Sequence, residues 1–475
     1  MQDEEITGLS ATELSEAIHD GRLSCVGVMK ACLARIGKLN PAINAIVSLR
    51  DTEALLAEAG ECDVELASGR SRGWMHGMPI AIKDLCEAKG IPCTYGSPLF
   101  ADFVPDKDEV MVERIRKAGA LVIGKTNTPE QGFGSQSYNP VHGTTRNPYD
   151  LSRTAGGSSG GAAAALAAHL LPIADGGDMM GSLRNPAAFN NVVGFRPSYG
   201  RIPVSLKLEL FMGQLSVLGP MGRTVRDVAA LLATQAGYDP RDPHSLPAED
   251  LTLREGRDFS GARIAWLGDF DGYLPFEPGV LELCRAALPV FEQLGCTVDD
   301  VAAQFDMADV WRSWTTLRSW LTASNMRDTY DDPAKRALIK PEIIWEIERG
   351  LDMTAREVHC ASRRRSAWYQ CLLTLFERYD YLILPSAQVF PFDAATHWPK
   401  EVGGRAMDTY HRWMEVVIGP SMAGLPVAAM PAGFNDGGLP NGIQIIGRPR
   451  ADRAVLELAL AYEAKTDWLG RRPRL

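Results

Sequence analysis

The chain has 475 residues, 45% of them hydrophobic and 23% charged, with a net charge of −10. That is ample material for a large core, and nothing in it has the composition of a disordered segment. The acidic balance excludes a nucleic-acid footprint, since the short cluster Arg363-Arg364-Arg365 reads as a solvated helix face, and nine scattered cysteines without a CxxC pair exclude a disulfide framework and point to a reducing compartment.

The amino terminus, MQDEEITGLS, lacks the charged-then-apolar profile of a secretory signal, so the expected location is cytoplasmic. Residues 8–60 read as amphipathic helices: Ser10 stands at capping-box spacing from Glu13, and Ser24 opens another apolar-periodic run. Two β-branched runs follow, at 78–85 and 120–127, with a helical pattern near 107–118 between them, an alternation that indicates an α/β sheet. The second run overlaps a GxxxxGK[ST] match at 119–126. The four residues between its glycines are Ala-Leu-Val-Ile, which form the strand and not an open phosphate-binding turn, so the match does not predict nucleotide binding.

Residues 155–201 begin AGGSSGGAAAALAAHLLPIADGGDMMGSLRNP, a run dense in glycine, alanine and serine. A flexible spacer would alternate glycine with polar residues. Here the glycines lead into an alanine-rich helix over 162–171 with almost no polar face, which must be buried on nearly all sides. Its apolar stretch is too short to span a bilayer, which takes about 20 residues. Ser158, Ser159 and Ser182 sit among glycines just before helical patterns. Each could simply cap a helix, or a glycine turn there could aim successive N–H groups at one acceptor. Further on, 238–258 reads as a polar surface loop, 261–267 as a strand, 279–294 as a helix and 380–384 as a buried strand. No HExxH or paired CxxC motif occurs and no GxSxG elbow that would set a serine on a strand-to-helix turn is read, so neither a local metal site nor a nucleophile elbow is predicted.

A series of ordered blocks then decides the fold. MPIAIKDL around Lys83, GKTNTPEQGFG from Gly124, TRNPYD from Thr145, GGSSGG from Gly156, GSLRNPAAF from Gly181, VVGFRPSYGRIP from Val192, GPMGRTVRDVA from Gly219, MAGLPVAAMPAGF from Met422 and GLPNGIQIIGRP from Gly438 resemble the amidase signature family. The resemblance implies one α/β domain over 1–475, with a central mixed β-sheet surrounded by α-helices. Within it lie an N-terminal helical layer (1–65), a signature core (75–225) and a variable substrate-pocket region (300–415).

It also implies a Ser–Ser–Lys triad: Lys83 as base, Ser158, preceded by a cis peptide bond, as bridge, and Ser182 as nucleophile. The oxyanion hole falls on the backbone N–H groups of Met179, Met180 and Gly181, with Ser182 as a further candidate, and Asp178 and Arg184 brace that turn. A lysine base must be neutral, and the apolar run PIAIK offers the desolvation that makes it so. No cofactor and no metal are implied. The chain departs from the family's D-[TI]-G-G-S pattern at Asp178-Met179-Met180-Gly181-Ser182, where a methionine replaces a glycine: either a tolerated substitution, or a side chain that lines the site and favours an apolar or aromatic substrate.

The 300–415 region is rich in aromatics. Trp311 and Trp314, at helical spacing, read as core, whereas the loop 386–408 is the expected lid, giving Phe390, Trp398 and Trp413 as pocket candidates. The expected activity is hydrolysis of small hydrophobic or aromatic amides, with aryl carbamates and esters as secondary substrates. The expected partner is that small molecule, with no nucleic acid and no membrane, on a monomer or homodimer. Two rivals remain: the glutaminase subunit of a tRNA-dependent amidotransferase, and an inactive scaffold whose oxyanion turn Met180 has spoiled.

Overall fold

The amino-terminal helices begin at their capping residues. In the computed structural model, which describes residues 2–206, 209–302 and 304–475, Ser10 accepts the Glu13 N–H while the Glu13 carboxylate accepts the Ser10 N–H at 2.8 Å, opening helix Ala11–His19. Ser24 and Asp51 cap Cys25–Ile43 and Thr52–Ala67 by accepting the Gly27 and Ala54 N–H groups. These helices turn Leu14, Ile18, Val28, Met29 and Leu55 onto a small sheet ordered Ile46–Val47, Leu121–Thr126, Pro79–Lys83. The last two strands run parallel and are joined through helix Val110–Lys117. Gly124, Lys125 and Thr126 all lie within a strand, as expected of the misleading phosphate-loop match.

The main sheet has eight strands in the order Thr297–Asp300, Arg263–Trp266, Tyr381–Pro385, Pro440–Gly447, Val427–Phe434, Val193–Arg196, Val217–Gly222, Ile173–Asp178. Arg263–Trp266 pairs in parallel with both neighbours and the other pairs are antiparallel, so the sheet is mixed. Helices flank it, and the whole chain forms one α/β unit. The helix expected over 279–294 is two, Val280–Arg285 and Pro289–Gln293, because Pro289 has no N–H to continue the first ladder. Among the described residues no helix is long and apolar enough to cross a membrane.

The alanine-rich helix runs Gly160–Ala167, and every residue in it is buried. Its glycines are there for contact: a Cβ on Gly161 would stand 2.3 Å from the Asn127 nitrogen and 2.6 Å from the Ala45 carbonyl. Only a bare backbone lets this helix press against the end of strand Leu121–Thr126. The run is thus a packing device that wedges a helix between the two sheets. Its amino-terminal end, Ser158-Ser159, is held between the last residue of Pro79–Lys83 and the edge strand Ile173–Asp178.

Candidate active site

Three segments converge at that wedge. Strand Pro79–Lys83 delivers Lys83 at its end. The glycine run delivers Ser158 and Ser159, with the Gly157–Ser158 peptide cis. Strand Ile173–Asp178 turns through Met179-Met180-Gly181 to Ser182 and enters helix Arg184–Asn190. Gly181 has φ +79°, and a Cβ there would fall 2.7 Å from Val417, so only glycine closes this turn, whereas Met180 lies outside the left-handed region and carries its side chain without strain.

Lys83 is buried, and its Nζ lies 2.8 Å from Ser158 Oγ and 2.8 Å from Ser159 Oγ. Ser182 opens onto the same cavity, and its carbonyl accepts the Ser159 N–H at 3.2 Å. The lysine-to-Ser158 link is therefore formed, while no hydrogen bond joins Ser158 Oγ to Ser182 Oγ, a gap that substrate-free sites often close on binding. Burial pushes the Lys83 amine down to about 7, against the opposing pull of Asp175, Asp178 and Cys86. At neutral pH a large share of it is neutral and able to accept a proton.

Asp175 joins the two sheets: its Oδ1 accepts the Lys83 backbone N–H at 2.9 Å, while Oδ2, also buried, has no hydrogen-bond partner. Burial raises this carboxyl to about 6. Asp178 is as deeply buried but richly partnered. Its carboxylate accepts the N–H groups of Gly181 (2.9 Å) and Leu183 (3.1 Å), two bonds from Arg184 (2.9 Å each) and one from Arg196 (3.0 Å). Burial alone would raise its pKa, but the two guanidinium groups outweigh that and hold the carboxyl well below the usual carboxylate range. Arg184 also ties the turn to Val417, Gln444 and Ser421.

The Gly181 N–H is thus already engaged by Asp178. The N–H groups of Met179, Met180 and Ser182 make no hydrogen bond among the described residues, so these are the donors left for a developing oxyanion. These residues line a cavity of about 310 Å³ whose apolar wall includes Leu85, Phe133, Met180, Val217, Leu218 and Met414. Met180 does line the site. Arg318, from helix Met307–Asn325, reaches the same space.

The aromatic pocket candidates do not line this cavity. Phe390 and Trp413 are buried in the core, Trp413 donating its indole N–H to the Tyr410 carbonyl, and Trp398 lies half-buried under Lys400. The 386–408 segment packs along the main sheet and forms a small hairpin, Glu401–Val402 with Arg405–Ala406, because its apolar side chains are consumed by the core. Met414, next in sequence to Trp413, does reach the cavity. Trp311 and Trp314 are core residues, as their spacing predicts. Sequence reasoning missed the roles of Asp175, Arg318 and the second lysine contact, Ser159. A carboxylate in the apolar run PIADGGD was the available signal for Asp175, and nothing local marked Arg318.

Comparison with known proteins bears on the family and the fold. The amidase family profile matches residues 27–456. An acylamidase of Rhodococcus erythropolis is 35% identical, the alignment covering 100% of this chain and 98% of that protein. A glutamyl-tRNA(Gln) amidotransferase subunit from Chloroflexus aurantiacus is 33% identical over 99% of each. Among solved structures, a bacterial aryl acylamidase of the amidase signature family superposes with a TM-score of 0.91 at 29% identity, covering 97% of this chain and 96% of its own.

Proposed function

The chain belongs to the amidase signature family, and on that premise we propose that it is a serine amidohydrolase that cleaves small, hydrophobic or aromatic amides through an acyl-enzyme on Ser182. The observation that carries this reading is the bond from Lys83 Nζ to Ser158 Oγ at 2.8 Å inside the cavity that also exposes Ser182. In the proposed cycle Ser182 Oγ attacks the amide carbonyl as its proton passes through Ser158 to neutral Lys83. The N–H groups of Met179, Met180 and Ser182 receive the oxyanion, and the relay runs backwards to protonate the leaving amine. Water then releases the acid by the same route. With a carbamate, the bond that breaks decides whether Ser182 carries a carbonate or a carbamoyl ester.

The apolar walls support the choice of substrate, and the cavity is at the small end of ligand sites, which run from roughly 300 to 1,000 Å³. The test is hydrolysis of a matched anilide, aryl carbamate and aryl ester by the purified protein, with both products followed by mass. The anilide is expected to turn over. A second reading, a glutaminase subunit, draws on the full-length likeness to the amidotransferase chain. Release of ammonia from glutamine without anilide turnover would establish it in place of the first.

The same relay predicts a pH profile. Protonated Lys83 cannot accept a proton, so kcat/KM should fall as pH drops through about 7. Asp175 raises the Lys83 pKa, so Asp175→Asn removes a charge that favours the ammonium and should move this acid limb to lower pH. A limb that stays in place in a folded Asp175→Asn variant would remove Lys83 from the titration.

A further inference from the structure

Among the described residues that line the cavity, Arg318 is the one cation besides Lys83. Its guanidinium carries five N–H donors. Nε donates to Glu346 at 2.7 Å and Nη2 to the Tyr410 hydroxyl at 2.9 Å, while Nη1 meets only the Met179 thioether at 2.9 Å. A thioether is a weak acceptor, and the two remaining N–H groups have no acceptor among the described residues. Phe133, itself in the cavity wall, lies 4.8 Å from the guanidinium carbon and Trp314 lies 5.8 Å from it, which hold the group in place. One turn along the helix, Thr322 also lines the cavity, and its hydroxyl has no hydrogen-bond partner among the described residues.

The charge of Arg318 is already balanced. Burial alone would raise the Glu346 carboxyl, but Arg318 and the Ser319 hydroxyl at 2.6 Å hold it below its ordinary value. His411, pushed down to about 3 chiefly by burial, is neutral. Glu87 and Glu109 also border the cavity. An anionic ligand therefore finds donors here without an unpaired positive charge, and faces carboxylates besides. A neutral oxygen acceptor finds the donors alone.

We propose that Arg318 and Thr322 form an acceptor-binding subsite, so that the preferred substrates are uncharged amides whose hydrophobic part carries an oxygen acceptor such as a ketone, ester or nitro group. This rests on the reading of the Ser182 cavity as the substrate site. The incoming oxygen takes the Arg318 donors that the Met179 sulfur satisfies poorly, which makes Arg318 a determinant of specificity beside the reacting groups.

Three nearly isosteric ligands, 4-isopropylbenzamide, 4-acetylbenzamide and 4-carboxybenzamide, test it by calorimetry on the Ser182→Ala protein. The acetyl compound is expected to bind about tenfold more tightly than the isopropyl one, within the range of a hydrogen bond to a charged group, and the carboxylate more weakly than the acetyl. Removing Arg318 alone would leave the Glu346 carboxylate buried and unpaired, so the first variant is Arg318→Met with Glu346→Gln, and the second is Arg318→Lys, which keeps the ion pair and loses the fork. In each the acetyl preference should shrink below about threefold, since the lost bond is the whole source of the difference. A preference that survives both changes, a carboxylate that binds best, or no binding of any of the three would overturn the proposal. Hydrolysis of an unsubstituted anilide by the wild type, measured in parallel, separates the two readings. Turnover without an acetyl preference leaves the amidase reading standing and removes the subsite; preference without turnover does the reverse.

Discussion

Ser182→Ala is expected to lower amide turnover by at least roughly 10⁴-fold while leaving the fold intact. Alanine keeps the backbone N–H at 182, and the hydroxyl it removes makes no hydrogen bond among the described residues, so little structure depends on it. What disappears is the atom that forms the acyl-enzyme. The residual rate should be that of a substrate held against the N–H groups of Met179, Met180 and position 182 and attacked by water. The wild type, mixed with a slowly deacylating ester, should gain the mass of the acyl group, and Ser182→Ala should not. Lys83→Met and Ser158→Ala interrupt the same relay at its other members, so each should cause a loss of similar order. The double variant Lys83→Met/Ser182→Ala should then be scarcely worse than either single change, because groups that act as a unit do not add. Losses that multiply would mean that Lys83 and Ser182 act independently, and near-normal turnover by folded Ser182→Ala would remove it as nucleophile.

How much of this was legible in the sequence depended on whether the signal was local. The caps at Ser10 and Ser24, the strand within the false phosphate loop and the buried alanine helix follow from propensity and spacing over a few residues, and each is found where its pattern lies. The mixed sheet and the meeting of Lys83 with Ser158 depend on segments far apart in the chain, and it was the ordered motif blocks that pointed to them. The pocket had neither kind of signal. Phe390, Trp398 and Trp413 were candidates because exposed aromatics suggest binding, yet Phe390 and Trp413 are core packing and Trp398 lies half-buried under Lys400. Arg318 lies on a helix whose neighbours Trp314 and Leu317 are core, and only the tertiary fold turns its guanidinium toward Met179.

Asp178→Asn is the change expected to cost most in stability, roughly 3–5 kcal/mol, the range for removing one partner from a buried ion pair. The side chain keeps its shape, so the loss is electrostatic. Arg184 and Arg196, both fully buried, would face each other with no anion between them, and an amide nitrogen would replace one of the oxygens that now accept from Gly181, Leu183, Arg184 and Arg196. Urea denaturation should show a lower midpoint with little change in slope. The sign of the pH dependence follows from the depressed folded pKa. The carboxylate contributes its full stabilisation above the ordinary carboxylate range, and this is lost as pH falls below that range toward the folded value. Wild type should therefore lose this contribution in acid, while Asp178→Asn, already without it at pH 7, should show a shallower acid decline. Activity should fall further than stability explains, because either the Gly181 or the Leu183 N–H loses the carboxylate oxygen that holds the Met179–Ser182 turn in shape. A variant with wild-type midpoint and turnover would mean that the Arg184 bonds to Val417, Gln444 and Ser421 suffice to hold the turn, and that the carboxylate is dispensable.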